Sequence, residues 1–214
     1  MAHLERNGEA ASSELLVATT NRGKFVEIAE AFKDLPFRLL SLRDVPGAPE
    51  VVEDGETFLA NARKKAHQTA RWSGKLTLAD DSGLVVEALG GGPGVHSARY
   101  AGEKATDEDN RRKLLREMEG VPEGKRRAAF VCVLVMADPD GREVIAEGRV
   151  EGRIAREPRG DGGFGYDPLF LIPSLAKTTA ELPLTEKNAL SHRGLALKDL
   201  RGKLGGQLTP KRLP

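Results

Sequence analysis

Cysteine is almost missing from this chain. Cys132 is the only one among 214 residues, which excludes an intrachain disulfide and a zinc site built from several thiolates, and fits a reducing compartment. It stands inside the apolar run 128–137, where a packed core thiol is the expected role rather than a nucleophile. That run is the longest apolar stretch and is about half of the ~20 residues a membrane-spanning helix needs, so neither a transmembrane segment nor a membrane partner is expected. Net charge is missing as well: 33 Lys and Arg stand against 32 Asp and Glu. No overall field draws the chain onto a polyanion, stable nucleic-acid binding is not expected, and any basic site is local. Residues 1–14 lack the apolar core of a signal peptide, so they are expected to be a frayed tail and the cytoplasm the location. Residues 205–214 read as a second loose tail.

What is present is the composition of a folded domain: 39% apolar and 30% charged residues, with 24 Gly and 12 Pro. This length suits one ordinary unit with a single sizeable core, expected over 15–204. A short apolar strand at 15–18 runs into a polar turn and then a helix carrying Phe25, Ile28 and Phe32 at helical spacing. A second helix is expected over 54–73, with Asp54 and Thr57 as candidate caps and Asn61 and Lys65 on one face. Two extended pieces, 76–79 and 84–86, flank Asp80-Asp81-Ser82-Gly83, which reads as a turn where a strand ends. Thr106 and Asp109 make a capping pair for a third helix. The run 130–137, the turn Asp138-Pro139-Asp140-Gly141 and the stretch 143–154 form a long hairpin. A short strand at 169–172 and a last helix with Leu197, Leu200 and Leu204 inward complete the chain. Parallel βα units combined with an antiparallel hairpin give an α/β protein with a mixed twisted sheet and helices outside.

Several segments carry chemistry. Thr19-Thr20-Asn21-Arg22-Gly23-Lys24 lies between a strand and a helix, so backbone N–H groups and a helix N-terminus can face an anion with the Lys24 charge added. It lacks the frame of a Walker A loop, and taken alone it equally describes an ordinary βα turn. Asp80 and Asp81 are adjacent in an extended segment, so only one of them points into a given cleft. A carboxylate there can hold Mg²⁺ or orient an attacking water. Glu53 is a candidate second oxygen ligand, or simply an acid favoured near a helix N-terminus. Lys65 can neutralise phosphate charge from the second helix or belong to a solvated face. Gly163-Phe164-Gly165-Tyr166-Asp167-Pro168 lets backbone approach a ligand while a ring lies against a base. Ser191-His192-Arg193-Gly194, with Lys187 upstream, sets cations beside a helix N-terminus.

Together with Ala18 before the first turn, Thr57-Phe58 leading to Asn61-Ala62, and Ala79-Asp80-Asp81-Ser82-Gly83-Leu84, these segments resemble the inosine triphosphate pyrophosphatase family, the noncanonical purine nucleoside triphosphate pyrophosphatases. The likeness runs from about residue 15 to 204, and Gly94-Val95-His96-Ser97-Ala98-Arg99-Tyr100-Ala101-Gly102 extends it. Ala60 departs from it, standing where many relatives carry an acid. The resemblance implies a two-lobed unit around a long mixed sheet, a homodimer, one or more Mg²⁺ ions, and hydrolysis of inosine, deoxyinosine or xanthosine triphosphate to monophosphate and pyrophosphate. It implies that Asp81 is the catalytic acid/base and that Glu53 and Asp81 hold the metal. Thr19, Thr20, Asn21, Arg22, Gly23, Lys24 and Lys65 would bind the triphosphate, and Ser82, Phe164, Gly165, Tyr166, Asp167, Lys187, His192 and Arg193 would contact the nucleotide. The role of Asp80 stays open, and a related pyrimidine-directed enzyme or a non-catalytic nucleotide- or RNA-binding module are the rival readings.

Overall fold

The structure is a computed structural model that describes residues 13–205, the side chain of Ser13 excepted. The expected tails fall outside those residues, save that Ser13 and Glu14 belong to the first strand and Gly205 closes the last helix.

The chain opens with a parallel β-α-β unit: β1 (Ser13–Val17), α1 (Arg22–Phe32) and β2 (Phe37–Ser41). Then α2 (Phe58–Ser73) leads into β3 (Leu76–Val86), which lies parallel to β1 on its other side. Next come α3 (Asp107–Glu117) and the hairpin of β4 (Arg127–Ala137) with β5 (Glu143–Ile154), antiparallel to β3. The short β6 (Phe170–Ile172) and β7 (Lys177–Thr178) extend the sheet, and α4 (Leu184–Leu190) and α5 (His192–Leu204) end it. The seven strands lie in the order β2-β1-β3-β4-β5-β6-β7.

Local chemistry sets the element ends. Asn21 caps α1 by accepting from the Lys24 N–H at 3.0 Å, Thr57 caps α2 through the Ala60 N–H at 3.1 Å, and Ser191 caps α5 through the Gly194 N–H at 3.0 Å. Thr106 and Asp109 form the expected capping box of α3. Asp138 accepts the Arg142 N–H at 3.0 Å and Gly141 takes φ +96°, turning β4 into β5.

Two expectations need correction. α2 begins at Phe58 rather than 54, because Asp54 is drawn into an ion pair with Lys64 at 2.6 Å and Thr57 is the cap in use. Asp80-Asp81-Ser82-Gly83 is not a turn: β3 is one continuous strand of 11 residues, and β4 pairs with it residue for residue, Asp80 opposite Leu134 and Asp81 opposite Val133. β2, β7 and α4 have no counterpart among the expected elements.

The long strands β3, β4 and β5 carry two lobes. On one face of the first lobe Leu15, Ile28, Phe32, Leu78, Leu134, Leu197 and Leu200 pack under α1 and α5. On the opposite face Ala62, Ala66 and Ala70 of α2 lie on Ala79, Val133 and Val135, small side chains that let the helix approach closely. Leu84, Val86, Leu114, Phe130, Leu169 and Phe170 form the second lobe's core. The strand alternation that puts Leu78 on the α5 face and Ala79 on the α2 face sends Asp80 toward α5 and Asp81 toward α2. Among the described residues no helix is long and apolar enough to cross a membrane.

Candidate active site

A cavity of about 450 Å³ opens between the lobes at the middle of β3. The β1–α1 turn supplies Thr19, Thr20 and Asn21, the first turn of α1 supplies Lys24, the loop before α2 supplies Glu53, and α2 supplies Lys65. β3 contributes Asp81 and Ser82, and Phe164, Gly165, Tyr166 and Asp167 face them with Lys187, His192 and Arg193. Two expected residues do not line it: Arg22 is exposed at the start of α1, and Gly23 serves instead as the seat of a ring. A Cβ on Gly23 would lie 2.6 Å from Cδ1 of Phe164, so only glycine lets that ring rest on the turn.

The two adjacent aspartates have different surroundings. Asp81 Oδ1 accepts the Ser82 N–H at 3.0 Å and Oδ2 accepts the Asn61 amide at 3.0 Å. Burial raises its carboxyl above the usual range, with nearby Glu53 adding to the rise and Lys65 and Lys24 opposing it. Asp80 is ion-paired to Lys24 at 3.0 Å and to Arg193 at 3.1 Å, and accepts from the Ser82 hydroxyl at 3.1 Å. Its own burial would raise the carboxyl, but Lys24, Arg193 and Lys65 outweigh this and hold it well below the usual range.

Asp80 is one link in a buried chain of alternating charge. Arg193 bridges Asp80 to Glu27, Glu27 accepts Lys187 at 2.7 Å, and Lys187 also reaches Asp167 at 2.7 Å. Lys24, Arg193 and Lys187 thus alternate with Asp80, Glu27 and Asp167, and the six charges balance. Asp167 also accepts the Phe164 N–H at 2.8 Å and the Thr179 hydroxyl at 2.9 Å, fixing the aromatic loop to the chain of charges. The Phe164 ring lies over Lys187 Nζ at 5.0 Å. His192 stacks on Phe130 with ring centroids 4.7 Å apart. Burial, with Arg193 and Lys187 close by, keeps its pKa well below the ordinary value, so the imidazole is neutral. Tyr166 lines the cavity from the second core, in which its ring packs, and its hydroxyl donates to the Ser97 carbonyl at 2.8 Å. The arrangement joins an acid facing an open cavity, a turn of backbone N–H groups with a cation, and an aromatic wall backed by buried charges.

The family model described as the Ham1 family matches residues 15–203 of this chain. The chain belongs to the Ham1 family. It is 55% identical over 195 residues to a Geobacter sulfurreducens protein named dITP/XTP pyrophosphatase, covering 91% of this chain and 98% of that one. A Desulforamulus reducens protein of the same name is 53% identical over 185 residues, covering 86% and 92%. Among solved structures, a HAM1 protein from Coxiella burnetii superposes with a TM-score of 0.81 at 43% identity, covering 89% of this chain and 97% of that one. The Staphylococcus aureus Ham1 protein gives 0.81 at 41% identity, covering 91% and 99%.

The Ham1 cavity also depends on residues outside the motifs. Glu27 sits inside α1 beside Ile28 and gave no signal beyond a charge next to a buried helical position. Arg99 donates to the Glu53 carbonyl at 2.9 Å and so tethers the acid's loop. Asp107 accepts the Gly165 N–H at 2.7 Å while Arg111 donates to the Gly165 carbonyl at 2.7 Å, so the start of α3 clamps the aromatic loop.

Proposed function

We infer that this Ham1 chain hydrolyses noncanonical purine nucleoside triphosphates, ITP, dITP and XTP, to the monophosphate and pyrophosphate, clearing them from the nucleotide pool before they enter DNA or RNA. The observation that carries the reading is the placement of Asp81 on the cavity wall, anchored by Asn61 and the Ser82 N–H between the 19–24 turn and the Phe164 loop. Relatives about half identical over most of the chain are named for this activity.

Asp81 accepts a proton from the water as its oxygen attacks the α-phosphorus, and pyrophosphate leaves. The Thr19, Asn21 and Lys24 N–H groups are taken by Val17, Thr19 and Asn21, so those of Thr20, Arg22 and Gly23, at the N-terminus of α1, receive phosphate oxygens, and Lys24 and Lys65 offset their charge. Phe164 offers a face for the purine, and Arg193 or the neutral His192 donates to the 6-oxygen, a contact that the adenine 6-amino group would turn into donor against donor. Asp80 keeps Lys24 and Arg193 in place rather than meeting substrate.

Glu53 and Asp81 suit a hard divalent cation. Both face the cavity, the Asp81 oxygens each accept a single protein hydrogen bond, Glu53 Oε1 accepts Lys65 at 3.0 Å, and their mutual repulsion would be relieved by a cation between them. Mg²⁺ commonly takes one or two carboxylates and completes its shell with water and phosphate oxygens. Bound there, it would neutralise the charge of the triphosphate and its leaving group. A homodimer belongs to the same proposal on the strength of the family resemblance and a cytoplasmic location on the single cysteine, and the near-zero net charge supports the absence of stable nucleic-acid binding.

The test is a substrate panel. With Mg²⁺, kcat/KM for ITP, dITP and XTP should exceed that for ATP by about a hundredfold or more, the gap one misplaced buried hydrogen bond can produce, while GTP, which shares the 6-oxygen, reads discrimination at the 2-position. Equal turnover of all five, or turnover only of pyrimidine triphosphates, would overturn the reading.

A further inference from the structure

We propose that Asn61 is a positioning residue that sets the gap between Glu53 and Asp81 and so builds the divalent-cation site; this rests on the proposed metal-dependent reading. Asn61 lies in the first turn of α2 and is fully buried. Its amide makes two sets of contacts that converge from different parts of the chain. Toward the loop before α2, Oδ1 accepts the Gly55 N–H at 2.8 Å and Nδ2 donates to the Gly55 carbonyl at 3.3 Å. Toward the sheet, Nδ2 donates to Asp81 Oδ2 at 3.0 Å. The chemistry fixes which way the amide faces: the Gly55 N–H can only donate, so it must meet Oδ1, and the Asp81 carboxylate accepts, so it must meet Nδ2.

The loop that Asn61 grips carries Glu53 two residues upstream of Gly55. A second anchor, Arg99, holds the Glu53 carbonyl at 2.9 Å, and Lys65, one helical turn after Asn61, holds the Glu53 carboxylate at 3.0 Å. Gly55 is part of the device, since a Cβ there would lie 2.7 Å from Asn61 Oδ1 and 2.8 Å from the Ala60 Cβ. Any side chain at 55 would therefore push the acid loop away from α2. Asn61 touches both the strand that holds one acid and the loop that holds the other, and partners of this kind commonly control metal affinity. A residue with only a packing role in α2 would have no reason to change metal binding selectively.

The experiment measures Mn²⁺ affinity of the full chain, by the electron paramagnetic resonance signal of free Mn²⁺, with inosine 5′-(α,β-methylene)triphosphate bound. Parent, Asn61→Ala, Gly55→Ala, Glu53→Gln and Asp81→Asn are compared. Asn61→Ala and Gly55→Ala should weaken Mn²⁺ binding by about 10–100-fold, the usual range for lost outer partners of metal ligands. They should raise the Mg²⁺ concentration needed for half-maximal turnover by a similar factor, while KM for ITP at saturating Mg²⁺ changes less than about threefold. Gly55→Ala keeps both the Asn61 and the Asp81 side chains and decides the matter if Asn61→Ala fails to fold. Parental Mn²⁺ affinity in the folded position-61 and position-55 variants, with Glu53→Gln and Asp81→Asn weakened, overturns the role of Asn61 alone. Parental affinity in all four overturns the metal reading and this inference with it.

Discussion

Replacing Glu27 by Gln tests the buried chain of charge. Glu27 is 4% exposed and holds Lys187 at 2.7 Å and Arg193, which are themselves 4% and 1% exposed. The substitution keeps shape but removes one of three acids, leaving a surplus positive charge where water cannot screen it. Breaking a buried pair in this way costs about 3–5 kcal/mol. Gln retains a carbonyl that can accept one of the two donors, and Asp167 and Asp80 still flank the cations, which argues for the lower end, about 3 kcal/mol. For a chain of this size each kcal/mol moves Tm by about 2–4 °C, so the variant should melt roughly 6–12 °C lower. The uncompensated cations also attract an anion more strongly, so inosine 5′-(α,β-methylene)triphosphate should raise Tm by more in Glu27→Gln than in the parent. Differential scanning fluorimetry with and without that nucleotide measures both. A variant melting within 2 °C of the parent, with the same nucleotide shift, would refute the reasoning.

Asp81→Asn should keep the fold and the contact with Asn61 yet lower kcat by about 10²–10⁴-fold, read by steady-state pyrophosphate release; near-parental turnover would remove Asp81 from the proton-transfer role. Cys132 is buried and its thiol is pushed up to about 12 by that burial, so iodoacetamide at pH 8 should leave the native chain unlabelled and label it in urea, as mass spectrometry would show. His192 is neutral in the folded chain, with a depressed pKa. Below about 6.5 the unfolded chain binds a proton that the folded one refuses, so its contribution makes stability fall as pH drops through 6.5 toward the folded value, by at most about 1.4 kcal/mol per pH unit. Urea denaturation from pH 5 to 7 should accordingly show a shallower slope in His192→Gln than in the parent.

Local signals were readable in the residues. Thr57, the Thr106–Asp109 pair and Ser191 mark helix starts through their own side-chain oxygens, and the apolar β4 with its Asp-Pro-Asp-Gly turn announces the hairpin. Asp-Asp-Ser-Gly carries turn chemistry locally, whereas its charges are met by partners far away: Arg193 stands 113 positions from Asp80. With that charge neutralised, pairing to β4 carries the strand straight through. Glu27 was illegible for the same reason, its partners Lys187 and Arg193 lying 160 and 166 positions along the chain. β2 and α4 are short, with five and seven residues, and α4 has no side-chain cap to mark it. Tyr166 has the composition of a base-stacking ring, while the reach of its hydroxyl to Ser97, 69 positions away, had no local signal.

Hydrolysis of ITP in H₂¹⁸O, followed by ³¹P NMR, tests the central claim most directly. Water attacking the α-phosphorus predicts an ¹⁸O-shifted phosphorus signal on inosine monophosphate and unlabelled pyrophosphate as the second product. Label in pyrophosphate, or release of orthophosphate, would place the attack at another phosphorus and contradict the account.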